Sequence, residues 1–375
     1  MSVVFFNGPV QNGDFTFADR PGKAVGIRIA EALNTVLSTP PVPHLWNTTT
    51  LAGDLRHREL GAREAVDRQA LEARLIAAKY PPGDAPSGGM LTDTDPEVSA
   101  LALEMTGRLL ADGVLTIAPV PVRLCARCGH MTGAGPHPCR SCGHTVTRAH
   151  TGRHLFADRD PAQPVLTRED FHGRAPAHLM DIAGNAPERL ILSRTRDHGI
   201  DLTPLGLDGL VLDPRAALHI AVLAAARRHG ADVAAMTTTL GAAAHIAAHG
   251  RHFARHDGTR LVYAVHGRVP YDDTTHLAKL YRVHRVDPEI RDLFANWFLP
   301  LCSLREKAGV QAAQLAGLLK FLRRATLART AVPQDTSLEQ ARQAVRAGDM
   351  RWLMDARVLP HVIPPTPTLE GGANG

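Results

Sequence analysis

Residues 3–37 read VVFFNGPVQNGDFTFADRPGKAVGIRIAEALNTVL. The apolar run Val3, Val4, Phe5 and Phe6 predicts a buried strand, and Asn7, Gly8, Pro9, Asn12, Gly13 and Asp14 break it into a turn. Val25, Ile29, Ala32, Leu33 and Val36 then recur close to a 3.6-residue period, which predicts a helix over 22–37. Strand, loop and helix in that order open a βαβ layout, so the chain reads as an α/β protein with a parallel sheet. Outward from there, 42–46 reads as the next strand and 57–80 as an amphipathic helix stopped by Pro81, Pro82 and Gly83. The segment 92–97 supplies N-caps for a helix to Leu110, and 114–122 is strand-like around two prolines. Strand candidates at 210–212, 233–236 and 260–265, with a helix at 214–228, resume the α/β pattern. From Pro288 the chain is mainly helical, through 310–330 and 337–347, and it ends in a Pro- and Gly-rich stretch.

The chain has 375 residues, enough for two or three domains with real cores. At 44% hydrophobic and 21% charged it is neither disordered nor membrane-embedded in composition, and no apolar run reaches the roughly 18 residues that span a bilayer. The start of the sequence lacks a basic, apolar leader, so the expected location is the cytoplasm and no membrane partner is expected. The 42 basic and 37 acidic side chains leave +5, with only Lys23, Lys79, Lys279, Lys307 and Lys320 as lysines. No run of five basic residues exists to grip nucleic acid in general.

Cysteine is more informative. Four of the five cysteines lie within residues 125–142, as Cys125-x2-Cys128-Gly129-His130 and Cys139-x2-Cys142-Gly143-His144. Two thiolates three positions apart chelate one ion from a tight turn, a following glycine permits that turn, and two such knuckles complete a tetrahedral S4 zinc site. Four cysteines leave no open position, so the expected zinc is structural, and it holds together a segment, 123–160, that is poor in large apolar residues. His130, His137 and His144 are alternative ligands that the duplicated cysteine pairs make the poorer choice. Cys302 stands apart and reads as a small buried hydrophobe.

The first strand with Pro9 to Asp14, Thr92-Asp93-Thr94-Asp95-Pro96 before a helix, the zinc knuckles, Leu192-Ser193-Arg194-Thr195-Arg196-Asp197-His198-Gly199, and Asn296-Trp297-Phe298-Leu299-Pro300-Leu301 occur in an order that resembles the class I aminoacyl-tRNA synthetases, most closely the methionyl type. The resemblance runs to about residue 345. It implies a Rossmann-like core split by a zinc-bearing connective insertion and followed by helices. The corresponding boundaries are 1–115 and 201–300 for the two core halves, 116–200 for the insertion, 301–358 for the helical segment and 359–375 for a flexible tail.

The departures from the family shape the functional expectation. Its His-x-Gly-His motif, which steadies the triphosphate, matches Thr16-Phe17-Ala18-Asp19. Its Asp-Glu-His-Gly segment matches Thr50-Leu51-Ala52-Gly53, its Gly-Lys-Asp-Asn segment matches Gly241-Ala242-Ala243-Ala244, and its Lys-Met-Ser-Lys-Ser loop matches Arg305-Glu306-Lys307-Ala308-Gly309. Adenylation needs preorganised charge and donors around phosphorus, and these four elements lose polar groups together. Asn12, Gly13, Gly241, Arg305 and Lys307 are the remaining candidates for ATP contact. Asp19, His198 and Asp213 are candidate catalytic groups of a redesigned pocket, with structural roles as the alternative. Arg323, Arg324 and Arg329 lie on one helix and read more simply as a solvated face than as an RNA contact. No anticodon module is recognisable after 310–348, so tRNA is not an expected partner. Two functions follow: a repurposed synthetase-like enzyme that condenses an amino-acid-like small molecule, for example with N–N bond formation to give a hydrazine, or a zinc-stabilised pseudoenzyme that serves as scaffold or regulatory partner of a biosynthetic enzyme.

Overall fold

The computed structural model describes residues 2–9, 16–46, 88–93, 95–133, 137–160, 164–175, 188–196, 198–271, 274–305, 309–328 and 335–364. Strand β1 (Val4–Asn7) is followed by a 3-10 turn (Pro21–Ala24) that runs directly into helix α1 (Val25–Val36). Strands β2 (His44–Trp46) and β3 (Met90–Thr92) form a parallel pair. Helix α2 (Pro96–Ala111) opens on Pro96, the residue best suited to a first helical position, while Asp95 accepts from the Thr92 N–H at 2.7 Å. The Thr92 to Pro96 motif is therefore a strand-to-helix turn.

The chain then leaves the sheet for an antiparallel hairpin, β4 (Thr116–Cys125) with β5 (Thr147–Asp158), joined at the end opposite the knuckles by β6 (Arg189–Ile191). A two-residue pair, β7 (Ser193–Arg194) with β8 (Val211–Leu212), leads back to helix α3 (Pro214–Arg227). Strand β9 (Val233–Thr239), helix α4 (Leu240–Gly250), β10 (Arg255–His256) and β11 (Thr259–His266) complete the core. Both β1 and β11 run parallel to β9, β10 is antiparallel to β11, and a parallel bridge from Pro9 to Leu45 sets β2 beside β1. The spatial order is β3-β2-β1-β9-β11-β10, so the direction of winding reverses between β1 and β9, the arrangement of a Rossmann-like core.

Side chains alternate across these strands. Phe5, Ala234, Met236, Leu261 and Tyr263 face a core shared with α2 and α3, whereas Val4, Phe6, Val233, Ala235, Val262 and Ala264 face α1 and the C-terminal helices. Burial on both faces is why these strands read as continuous apolar runs. Strand β1 meets β2 only at Pro9, so its inner backbone lacks a ladder partner on that side. Asn34, buried in α1, fills the gap: its Oδ1 accepts from Phe6 N–H at 3.0 Å and its Nδ2 donates to Phe6 O at 2.9 Å.

The helical end comprises α5 (Thr274–Val283), α6 (Pro288–Asp292), a π-helical stretch (Leu293–Phe298), α7 (Leu299–Arg305), α8 (Leu315–Leu327), α9 (Asp335–Arg346) and the short α10 (Leu359–Val362). Phe294, Phe298, Leu301, Leu319, Leu322 and Leu353 pack with α1 in one core. Two expectations are corrected, and one segment for which no element is expected forms a strand. Residues 147–158, polar in composition, form a twelve-residue strand because the hairpin ladder pairs them with β4 and a small core of Val120, Val122, Leu124, Met131 and Phe156 covers one face. Residues 210–212 do not add a parallel strand but close the short pair with β7. The tail is not loose from 359, since Leu359, Val362 and Ile363 are buried; 365–375 lie outside the described residues, as does the helix expected at 57–80. Among the described residues no helix is long and apolar enough to cross a membrane.

Replacing Asn34 by Ala leaves both backbone groups of Phe6 buried and unpaired, so chemical denaturation should show a loss of about 2 to 4 kcal/mol. An unchanged midpoint and slope would contradict that role.

Candidate functional site

The carboxyl ends of β1, β9 and β11 lie side by side and carry Asn7, Thr237 to Thr239 and His266. Helix α1 comes in close above them. A Cβ on Gly8 would sit 2.4 Å from the backbone of Gly26 and Ile27, so only glycine lets β1 leave the sheet there. The Thr237 hydroxyl lies 2.6 Å from Gly26 O and 3.0 Å from Asn7 O and shares its one proton between them. Burial holds His266 below the usual imidazole range, and its Nδ1 donates to Gly267 O at 2.9 Å, which leaves Nε2 as a neutral acceptor. The Thr239 hydroxyl accepts from Ala242 N–H at 3.3 Å and caps α4. Asp93, at the end of β3, is buried. The side chains at the ends of β1, β9 and β11 are thus an amide, three hydroxyls and a neutral imidazole, with no fixed cation among them.

The structure scatters the residues expected in this site. Asp19 is exposed in the segment between β1 and α1, where Thr16 Oγ1 donates to Asp19 Oδ2 at 2.7 Å and Asp19 N–H donates to Thr16 Oγ1 at 3.0 Å. Gly241 is exposed in the first turn of α4 with open space around it. His198 is half-buried near the return from the insertion. Arg305 closes α7, with its side chain outside the description, and Asn12, Gly13, Lys307 and 50–53 lie outside the described residues.

Asp213 is fully buried and caps α3 by accepting from Arg215 N–H at 2.9 Å. Arg194 Nε donates to it at 2.7 Å, and Arg215 donates through Nε at 2.9 Å and Nη2 at 3.0 Å. Burial by itself would raise this carboxyl, but the two guanidinium groups outweigh it and hold the group well below the carboxylate range. Both oxygens are taken up by these partners, which makes Asp213 a structural hub, the alternative allowed for it at the outset.

The four knuckle cysteines converge. Their Sγ atoms all lie within 4.8 Å of one another, with Cys125 to Cys142 at 3.5 Å and Cys128 to Cys139 at 3.6 Å. A tetrahedron with bonds of about 2.3 Å has edges of about 3.8 Å, so the thiols stand close to the spacing of one shared ion. Both knuckles fold alike: Cys125 N–H donates to His130 O and Cys139 N–H to His144 O, each at 2.8 Å, and Gly129 and Gly143 take φ values of 74° and 71°. Burial opposes ionisation of Cys125, but N–H groups of Cys128 and Arg127 overcome it and bring the thiol to about 7, whereas burial drives Cys128 and Cys142 upward. Four thiolates therefore coexist only around a cation, and the set fits a structural metal ion with no open position.

Arg196 ties this centre to the core. It is largely buried, and its guanidinium donates to Thr195 O and Met131 O, each at 2.9 Å, while Met131 N–H donates to Thr195 Oγ1 at 2.7 Å. Sequence reading passes over Asn7, Thr237, His266 and Arg196. The only local signal is a polar residue closing an apolar strand.

No family model matches the sequence, and no curated protein matches it. Among solved structures, Mycobacterium tuberculosis methionyl-tRNA synthetase bound by methionyl-adenylate is similar at a TM-score of 0.54 and 14% identity, over 95% of this chain and 82% of that one. A second structure of that enzyme, in complex with methionyl-adenylate, matches at 0.50 and 14%, over 96% and 82%. At this identity the likeness establishes fold alone: the chain is built like these methionyl-tRNA synthetase structures, and its four clustered cysteines are compatible with a zinc knuckle.

Two outcomes test the site. Replacing Asp213 by Asn strands two guanidinium groups and should cost about 3 to 5 kcal/mol at neutral pH. Because the folded carboxyl is depressed, its contribution is complete above the unfolded value near 4 and is lost as pH falls below that, so the gap between variant and wild type, read by denaturation, should narrow in acid. Elemental analysis should find one metal ion per chain, absent from Cys125→Ser, with affinity falling as pH is lowered because binding displaces thiol protons.

Proposed function

We propose that this chain is a synthetase-fold protein that binds an amino-acid-like small molecule at the carboxyl ends of its parallel strands, has given up ordinary aminoacylation of tRNA, and serves specialised metabolism. The knuckle ion in this reading is zinc, because four thiolates at tetrahedral spacing are its preferred structural environment. One concrete activity is the condensation of an amino acid with an N-hydroxylated amine, in which ATP-dependent acylation turns the hydroxyl oxygen into a carboxylate leaving group and the N–N bond forms as the N–O bond breaks.

The observation that carries the reading is the Thr16–Asp19 pair. At the positions matching the family's triphosphate-steadying imidazoles, a hydroxyl and a carboxylate satisfy each other, and the carboxylate repels phosphate. The uncharged polar ends of β1, β9 and β11 agree with it, since they suit a small polar ligand better than a triphosphate. The same lack of fixed cations there favours a second reading, a pseudoenzyme that acts as scaffold or regulatory partner of a biosynthetic enzyme.

ATP–pyrophosphate exchange and calorimetric titration with ATP, over the amino acids and N-hydroxylated amines, separate these. The condensing reading expects amino-acid binding with ATP–pyrophosphate exchange. Robust exchange sinks the scaffold reading, absence of any ATP binding removes ATP-dependent condensation, and binding of neither ATP nor any amino acid leaves the scaffold.

A further inference from the structure

Asn7 is the last residue of β1 and is 0% exposed, yet neither Oδ1 nor Nδ2 of its amide has a hydrogen-bond partner among the described residues. Its backbone is held by contrast: it stands in register with Met236 of β9, and its carbonyl accepts from Thr237. A primary amide offers two N–H donors and two acceptor lone pairs, and leaving them unmet in the interior destabilises a fold. Leucine has nearly the same size and shape and carries no such penalty. The chain nevertheless places the amide here, as the last residue of an otherwise apolar strand.

Its position argues for a ligand. Alternation along β1 puts Asn7 on the face of Phe5, toward α2 and α3, and Met236 and Thr238 of β9 share that face. The winding of the sheet reverses between these two strands, and open α/β sheets bind their ligands outside the carboxyl ends of the strands at that reversal. The amide cannot turn away to find another partner by moving its backbone. Gly8, the next residue, is pressed on Gly26 and Ile27, and Thr237 holds the carbonyl. The backbone that carries the group is therefore fixed in place before any ligand arrives.

The amide also specifies the kind of group it receives. It presents one acceptor and one donor side by side with no net charge, which complements a partner that carries an adjacent donor and acceptor. The α-ammonium and α-carboxylate of an amino acid are such a pair. We propose that Asn7 is a ligand-contacting, specificity-determining residue whose Oδ1 accepts from the α-ammonium and whose Nδ2 donates to the α-carboxylate of an amino-acid-type ligand seated at the head of β1. This inference rests on the amino-acid reading above and assigns that ligand its polar anchor.

The test uses the full chain as wild type, Asn7→Leu and Asn7→Thr. Each is titrated calorimetrically with the twenty L-amino acids, and any binder is compared with its amino alcohol and its deamino acid. Thermal unfolding is recorded without ligand. At least one amino acid should bind wild type, and Asn7→Leu should weaken it by about tenfold or more while its unliganded Tm stays level or rises. Removing the ligand's ammonium or carboxylate should weaken binding to wild type but have little further effect in Asn7→Leu, the signature of a direct contact. If Asn7→Leu does not fold, Asn7→Thr carries the same comparison.

Affinity unchanged in the variants overturns the proposal while the amino-acid reading stands. No amino acid binding to wild type overturns both. A Tm lowered by several degrees in both variants, with affinity intact, makes the amide a structural group and also overturns the proposal.

Discussion

The structure depends on how a four-residue strand is held at the middle of a sheet. Strand β1 has a full ladder only with β9, and on its other side β2 touches it at Pro9 alone. A central strand with an open flank leaves buried peptide groups without partners, which a fold rarely tolerates. Asn34 resolves this from above by returning both a donor and an acceptor to Phe6. That side chain therefore does two jobs: it completes the strand and clamps α1 over it. Once α1 is clamped, Gly8 must pass beneath Gly26, Thr237 must reach up to both, and the ends of β1, β9 and β11 are brought level. The meeting of these strand ends beneath α1 is a consequence of the clamp.

A second constraint runs from the core to the knuckles through residues 193–196. Ser193 Oγ accepts from Leu155 N–H at 3.0 Å and meets His154 Nδ1 at 2.9 Å, which joins the return strand to the hairpin. Arg194 reaches Asp213 at the start of α3, while Thr195 and Arg196 hold the first knuckle through Gly129 and Met131. Positive charge from Arg196 also stands near the thiols of Cys128 and Cys139, where a tetrathiolate around a divalent ion would carry net negative charge. The four-cysteine cluster is thus linked to the helix that lines one face of the sheet by four consecutive residues. Asp213, which looks in sequence like a strand-end site residue, is fully consumed in that linkage.

The parts legible in sequence were those whose signal is local. The knuckles show in two Cys-x2-Cys-Gly-His repeats because the same turn is built twice, with glycine at the same positive φ each time. Helix α1 shows in its period, and β1, β9 and β11 show as apolar runs because both of their faces are covered. Strand β5 was hidden. Its first half is Thr147-Arg148-Ala149-His150-Thr151-Gly152, exposed and without apolar alternation, and it is extended only because β4 lies beside it. Asn7 and Arg196 were hidden for a related reason, since burial and partners define them and neither has a spacing that announces it.

What the sequence by itself determined is the α/β class and the two Cys-x2-Cys knuckles whose four thiols could hold a metal ion. Each follows from residue type and short-range spacing, which act through backbone geometry within a turn or two. Tertiary structure alone decided the strand order with its reversal between β1 and β9, the conversion of Asp213 into a capped and doubly paired hub, and the burial at the head of the sheet of an Asn7 amide with no partner among the described residues. Those outcomes depend on contacts between residues that lie far apart in the chain, such as Asn7 with Thr237 or Arg194 with Asp213, and only packing sets which such groups meet.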